Sequence, residues 1–95
     1  MQVDEERIEV RAGEVAGRSA PALFLWRDRL WSVRSVETRR AGTGPGRDAS
    51  SGRVVLTEEE VWRVVAADGR NGTRGTYELT HALSTGTWRL SRVVE

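Results

Sequence analysis

Apolar residues recur at every second position in two neighbouring runs near the C-terminal end of the sequence, and this spacing restricts the fold more than any other feature. The runs are "TYELTHAL" and "TWRLSRVV". In the second, Trp88 and Leu90 alternate with Arg89 and Ser91. Successive side chains of a strand point to opposite faces, whereas a helix repeats every 3.6 residues. The two runs, joined by "STGT", therefore predict a β-hairpin.

A second hairpin is predicted by "LFLWRDRLWSVRSVET", with its turn at residues 27–29. Trp31 and Val33 lie on one face of the returning strand, but Val36 is out of phase with them. One extra residue near Arg34 and Ser35 restores the phase. The pattern therefore predicts a β-bulge at that point, which would sharpen the bend of the strand.

Two further segments have strand character. "RIEVRAG" near the N-terminus predicts one strand, and residues 60–67, rich in Val and Trp, predict another. Thr57 and Glu60 have the spacing of a helix capping box. A single helical turn over residues 57–60, immediately before the strand, is therefore left open.

Residues 41–53, "AGTGPGRDASSGR", are dense in Gly, Ser and Pro and nearly free of large apolar groups. Such a segment buries too little surface to offset the entropy lost on ordering. It predicts a long mobile loop. A shorter break at residues 67–75 contains Asp-Gly and Asn-Gly, both strong turn dipeptides.

These elements predict an all-β fold in a single domain over residues 1–95. A chain of this length supports one hydrophobic core. Five or six short antiparallel strands with no long helices describe a bent sheet or a small barrel, in which closure or coiling protects the strand edges. The predicted core consists of Leu23, Leu25, Trp31, Val33, Trp62, Val64, Leu79, Trp88 and Leu90.

The composition restricts the class of protein. The 15 basic residues, all arginine, oppose 14 acidic ones, so the net charge is +1 and a general polyanion binder is not expected. The sequence contains no run of 18 apolar residues, and acidic groups stand where a signal peptide needs basic ones. We therefore expect a cytoplasmic protein without membrane contact.

The sequence lacks the residues that most catalytic and metal sites require. With no cysteine and with His81 as its one histidine, the chain cannot supply the ligands of a zinc site. His81 stands in strand sequence without an oriented partner, so we expect a structural role for it. We predict no cofactor, no metal and no enzymatic activity. A pocket that brought His81 within hydrogen-bond distance of a carboxylate would reopen the enzyme hypothesis.

Tryptophan is followed by arginine at Trp26, Trp62 and Trp88. Because neighbours on a strand point to opposite faces, each pair places an indole on one side of the sheet and a guanidinium on the other. One interpretation is structural, with the indoles inside and the arginines paired with carboxylates such as Glu78. The other is a surface that binds phosphates and stacks bases, which requires Trp26 or Trp31 to be exposed. The candidate contact surface consists of Trp26, Arg27, Arg29, Arg34, Arg63 and Arg89.

Taken together, "FLWRDRLWSVRSV", "EVWRV" and "GTYELTHALSTGTWRLSRVVE" resemble a small uncharacterised domain family of actinobacteria. The resemblance covers roughly residues 20–95. Members of that family are associated with error-prone translesion DNA polymerases, which implies an accessory role in DNA-damage tolerance. The family implies no catalytic or binding residues. The segment 41–53 departs from the family pattern, which has more aromatic and basic residues there.

The function expected from the sequence is that of a small interaction module. It would bind a protein partner through an exposed strand edge or through the Trp/Arg surface. The alternative is direct binding of single-stranded nucleic acid through the same Trp/Arg surface. Homodimerisation through a strand edge is a further expectation.

Overall fold

The computed structural model describes residues 6–48, 50–69 and 72–94. Over these residues the chain forms six strands and no helix. The strands are β1 (Glu6–Val15), β2 (Arg18–Trp26), β3 (Arg29–Arg47), β4 (Val54–Asp68), β5 (Arg74–Ala82) and β6 (Thr87–Val94). The all-β prediction is confirmed, and no described segment could cross a membrane as a helix.

The strands close into a barrel in chain order, and every pairing is antiparallel. Strand β1 closes the barrel because it pairs with β6 along one part of its length and with β2 along the other. Residues 6–8 pair with β6, while residues 9–15 pair with β2. Of the two predicted architectures, the closed barrel is the one that forms, and closure leaves few unpaired edges.

Both predicted hairpins are present. The C-terminal one turns at residues 83–86 between β5 and β6. The other turns at Arg27 and Asp28, both of which have positive φ, as a type I′ turn requires. This turn is two residues long, one fewer than the sequence pattern indicated.

The predicted β-bulge is confirmed. Val33 lies opposite Ala66 and Ser35 opposite Val65, which leaves Arg34 as the extra residue. A second bulge leaves Glu37 unpaired in the same way. The first bulge keeps Val36 on the same face as Trp31 and Val33, where it packs against the core, as the phase argument required.

Six members of the predicted core are buried: Trp31, Val33, Trp62, Val64, Leu79 and Leu90. Trp88 is half-buried and packs against them. The prediction is wrong for Leu25, which is 43% exposed, and Leu23 is only half-buried. Phe24 takes the inner position instead.

The length of the turn explains why Phe24, and not Leu25, faces the core. Residues directly opposite each other share a face of the sheet, and Trp31 faces inward. A three-residue turn would place Leu25 opposite Trp31, whereas the observed two-residue turn places Phe24 there. A one-residue change in register moves every side chain of a strand to the other face.

The helical turn over residues 57–60 does not form, since these residues belong to β4. The predicted long loop at residues 41–53 is also wrong. Residues 41–47 continue β3 and pair with residues 54–60, so the connection spans only residues 48–53. Composition misled here because ladder hydrogen bonds join backbone groups and need no apolar side chain.

The glycines of this segment have a packing role that a loop would not require. A Cβ at Gly44 would lie 2.5 Å from the Glu59 carboxylate, and one at Gly46 would lie 2.7 Å from Thr57. Because Gly44 and Gly46 have no side chain, the side chains of Glu59 and Thr57 in β4 can lie across β3.

Candidate interaction surface

The inner face of the β2–β3 hairpin is an aromatic cluster. The Trp26 ring lies 5.8 Å from that of Trp31 and 5.7 Å from that of Tyr77, and Phe24 packs against the same group. The Arg27 guanidinium covers the Trp26 ring at 4.6 Å. Trp26 is consequently half-buried, and Trp31 is buried.

A base-stacking platform needs an exposed indole, and this condition is not met at Trp26 or Trp31. Trp62 is buried and Trp88 half-buried, so no tryptophan of this chain is exposed. The tryptophans instead contribute core contacts, as the structural interpretation of the Trp-Arg pairs predicted.

The candidate arginines nearest the hairpin turn each have a carboxylate partner. Arg27 pairs with Glu6 at 3.3 Å. Arg29 donates a 3.0 Å hydrogen bond to Asp68, whose carboxylate is buried. The structure therefore places Trp26, Arg27 and Arg29 together around one turn, with both guanidinium groups already neutralised.

The remaining candidate arginines lie away from this turn. Arg63 and Arg89 are on the outer face of the barrel. The Arg63 Nε lies 3.7 Å from Glu78, and Arg89 donates a 2.9 Å hydrogen bond to Glu59. Arg34 is exposed at its bulge. A phosphate would have to compete with these carboxylates for Arg63 and Arg89.

A leucine patch, consisting of Leu23, Leu25 and Leu30, lies on the outer face of the same hairpin. Leu25 and Leu30 are directly opposite each other and are 43% and 55% exposed. The patch separates two clefts of about 380 and 430 Å³, both lined by these leucines. The sequence analysis did not identify this surface. A two-residue turn at residues 27 and 28 would have identified it, because that turn length places Leu25 opposite Leu30.

The rim of the leucine patch carries balanced charge. Glu9 and Arg11 of β1 border one side, while Asp28 and the Arg29–Asp68 pair border the other. Because both signs occur on each side, the rim has no strong preference for a polyanion.

The turn beside the leucine patch holds strained backbone. Arg27 has φ 52° and Asp28 has φ 61°, in the left-handed region that glycine or asparagine usually occupies. Such conformations cost about 1–2 kcal/mol per residue for ordinary side chains. The two-residue hairpin accounts for this backbone, because a type I′ turn has positive φ at both central residues.

His81 belongs to a separate cluster at the start of the β5–β6 hairpin. Its ring stacks on Trp88 with 4.2 Å between centroids. The His81 Nδ1 lies 3.8 Å from Glu60 Oε1, which is beyond hydrogen-bond distance. Glu60 is instead engaged by Arg39, whose guanidinium also lies over the Trp62 ring. No group of three or more metal-binding side chains occurs among the residues described.

Comparison with known protein families supplies one match. The family model described as Domain of unknown function (DUF6504) matches residues 1–95, a wider span than the resemblance at residues 20–95. The chain belongs to this family. No curated protein and no solved structure matches it. Membership in DUF6504 assigns no role to any residue, so the geometry of the surface carries the functional argument.

The Arg39–Glu60 pair predicts a specific dependence of stability on acid. The hydrogen bond from Arg39 holds the pKa of Glu60 below its ordinary value of 4.5, against the opposing effect of burial. A lowered pKa in the folded state means that the unfolded chain binds more protons below pH 4.5. The stabilisation is therefore complete above that pH and is lost as pH falls through the pKa of the folded protein.

Chemical denaturation of the wild type and of Glu60→Gln over a range of acidic pH tests this dependence. We expect the free energy of unfolding to fall more steeply with acidification in the wild type than in the variant. Equal slopes below pH 4.5 would show that Glu60 does not titrate as the ion pair requires.

Proposed function

We propose that this DUF6504 chain is a protein-interaction module without enzymatic activity, and that it binds an apolar segment of a partner protein at the leucine patch. The observation that carries the proposal is the exposure of Leu25 and Leu30 as a directly opposed pair. Grouped apolar side chains with a polar rim are typical of docking sites, whereas single exposed leucines are ordinary.

The buried side chains beneath the leucine patch favour binding of a partner without a large rearrangement of this domain. Phe24 and Trp31, on the inner side of the same two strands, are buried and stacked in the core. A patch held on packed strands keeps its shape in the free protein, which lowers the entropy cost of binding. The buried Asp68 also fixes the position of the Arg29 guanidinium at the rim.

The charges of the surface favour a neutral apolar segment over nucleic acid. A phosphate backbone would meet Glu9 and Asp28 at the rim of the leucine patch. Arg63 and Arg89 lie next to Glu78 and Glu59. Affinity for nucleic acid depends mainly on unneutralised cations, so these pairs weaken the nucleic-acid alternative.

The family resemblance directs the choice of partner. The resemblance implies an association with error-prone translesion DNA polymerases, and we therefore propose a component of that machinery as the protein that contributes the apolar segment. In this role the chain would be an accessory protein in DNA-damage tolerance. The 3.8 Å between His81 Nδ1 and Glu60 Oε1 supports a role without enzymatic activity, because Glu60 does not orient the His81 imidazole as a base.

Site-specific photo-crosslinking in cells of the source organism tests the proposal. A photoreactive amino acid at Leu30 is expected to form an adduct with a translesion polymerase component, identified by mass spectrometry. Adding Leu25→Asp is expected to abolish the adduct, because a charge in the apolar contact loses burial and must be desolvated. The matched control places the same photoreactive group at Arg18, which is exposed outside the leucine patch.

The outcomes separate the alternatives. Adducts of equal yield from Leu30 and Arg18, or an adduct that survives Leu25→Asp, would refute the leucine patch as the docking site. Binding of a labelled single-stranded oligonucleotide that Arg63→Ala plus Arg89→Ala removes would assign the function to nucleic acid instead. An unchanged unfolding midpoint for Leu25→Asp shows that the domain remains folded.

A further inference from the structure

The extended end of the β3–β4 hairpin is a second surface, separate from the leucine patch, and we call it the arm. It consists of residues 41–47 of β3 and residues 54–58 of β4, with the connection between them. Pairing of β4 with β5 begins at Glu59. Among the described residues, the stretch Val54–Thr57 therefore has a strand neighbour on the β3 side and none on the other. A two-stranded ribbon of this kind is marginally stable in water unless something covers it.

Backbone groups of β4 point toward this open edge. The Glu58 carbonyl accepts a hydrogen bond from the Leu83 N–H on the β5 side. The backbone N–H and C=O groups of successive residues point to opposite edges of a strand. Those of Val54 and Leu56 therefore point to the same side as the Glu58 carbonyl, which is the open edge. The pairing of Leu56 with Pro45 agrees with this, because proline has no N–H to exchange with Leu56.

The side chains of the open edge are apolar and uncovered. Val54 is 66% exposed, Val55 38% and Leu56 78%. Strand β3 supplies no large apolar side chain opposite them, only Pro45 and Gly46 followed by Arg47. The outer edge of β3 contains Pro45, which has no N–H to donate, so this edge disfavours pairing with another strand. The β4 edge is thus the surface of the arm that is suited to strand addition.

We propose that the β4 edges of two copies of this chain pair antiparallel across a two-fold axis centred on Val55. This register places Val54 of one copy opposite Leu56 of the other and Val55 opposite its own counterpart. The outward N–H and C=O groups of Val54 and Leu56 then meet in reciprocal hydrogen-bonded pairs. An isologous contact of this kind closes on itself and stops at the dimer.

The charges at the two ends of the edge favour a second copy in this orientation. Arg53 precedes the apolar triplet and Glu58 follows it. Glu59 and Glu60 lie beyond the open edge and already pair with Arg89 and Arg39. Antiparallel pairing brings the cationic end of each strand beside the acidic end of the other. Parallel pairing would set Glu58 of one copy against Glu58 of the other and Arg53 against Arg53, which is repulsive.

Sedimentation equilibrium of the full chain over a range of concentrations tests the dimer and its register. The wild type is expected to dimerise. Val54→Lys alone and Leu56→Asp alone are each expected to weaken dimerisation by about tenfold or more, because a charge then faces an apolar residue across the pair. Mixing the two variants is expected to restore the dimer, since Lys and Asp become direct partners while Leu56 and Val54 remain opposite each other.

Thr43→Lys, on the β3 side of the same arm, is the matched control and is expected to leave dimerisation unchanged. A wild type that stays monomeric would overturn the proposal, as would a dimer that withstands both single substitutions. Failure of the mixed variants to associate would overturn the register centred on Val55. Restoration on mixing also shows that the single variants remain folded.

Discussion

Replacing Phe24 with alanine is expected to lower the free energy of unfolding by about 3–5 kcal/mol, the range for a large aromatic lost from a packed core. The side chain is 1% exposed and stacks on Trp31 at 6.2 Å between ring centroids. It also meets the edge of Tyr77. A loss of this size is a large share of the stability of a small domain. Urea denaturation followed by tryptophan fluorescence measures it.

Leu25→Ala is the matched control because the two residues are adjacent in β2 and point to opposite faces. At 43% exposure, Leu25 is expected to contribute less than about 1 kcal/mol, since it is only partly removed from water. A comparable loss for both variants, or a larger one for Leu25→Ala, would contradict the register set by the two-residue turn. It would also remove the basis for the leucine patch.

Replacing Arg89 with alanine is expected to lower the free energy of unfolding by about 1–3 kcal/mol. Arg89 donates a 2.9 Å hydrogen bond to Glu59, a carboxylate that is 7% exposed. Removing the cation leaves that charge buried without its guanidinium partner. The loss should stay below the about 3–5 kcal/mol of a fully buried pair, because Arg89 itself is partly solvated.

The second substitution Glu59→Gln is expected to recover part of this loss, because the unpaired charge is then removed. Arg34→Ala, at an exposed arginine, is expected to change stability by no more than about 0.5 kcal/mol. If Arg89 contacts phosphate and has no structural role, Arg89→Ala and Arg34→Ala will be equally stable. A double variant less stable than Arg89→Ala alone would also contradict the ion-pair assignment.

Much of the barrel could be predicted because its signals are local. Alternation in "TYELTHAL" and "TWRLSRVV" reports which residues of one strand share a face, and turn residues report where strands end. The bulge at Arg34 was predictable for the same reason, since Val36 breaks the phase of Trp31 and Val33 within a single strand. None of these inferences requires knowledge of a distant residue.

The arm was not predictable from the composition of residues 41–53. Those residues have weak strand propensity, and their order comes from β4, whose Thr57 and Glu59 side chains lie over the glycines.

The paired arginines were only partly predictable. Glu78 was expected beside Arg63 or Arg89, and it lies beside Arg63. Glu59 lay in a segment with helix signals, so its pairing with Arg89 was missed.

Side-chain alternation and turn chemistry act over a few residues, and they were sufficient to predict an all-β domain with hairpins that turn near residues 27–29 and 84–87. The face of the sheet that each side chain of "LFLW" takes depends on contacts beyond this run. Both phases of that run are apolar, so alternation alone leaves the choice open. The two-residue turn and the inward position of Trp31 decide it, placing Phe24 in the core and Leu25 on the surface that we propose for binding.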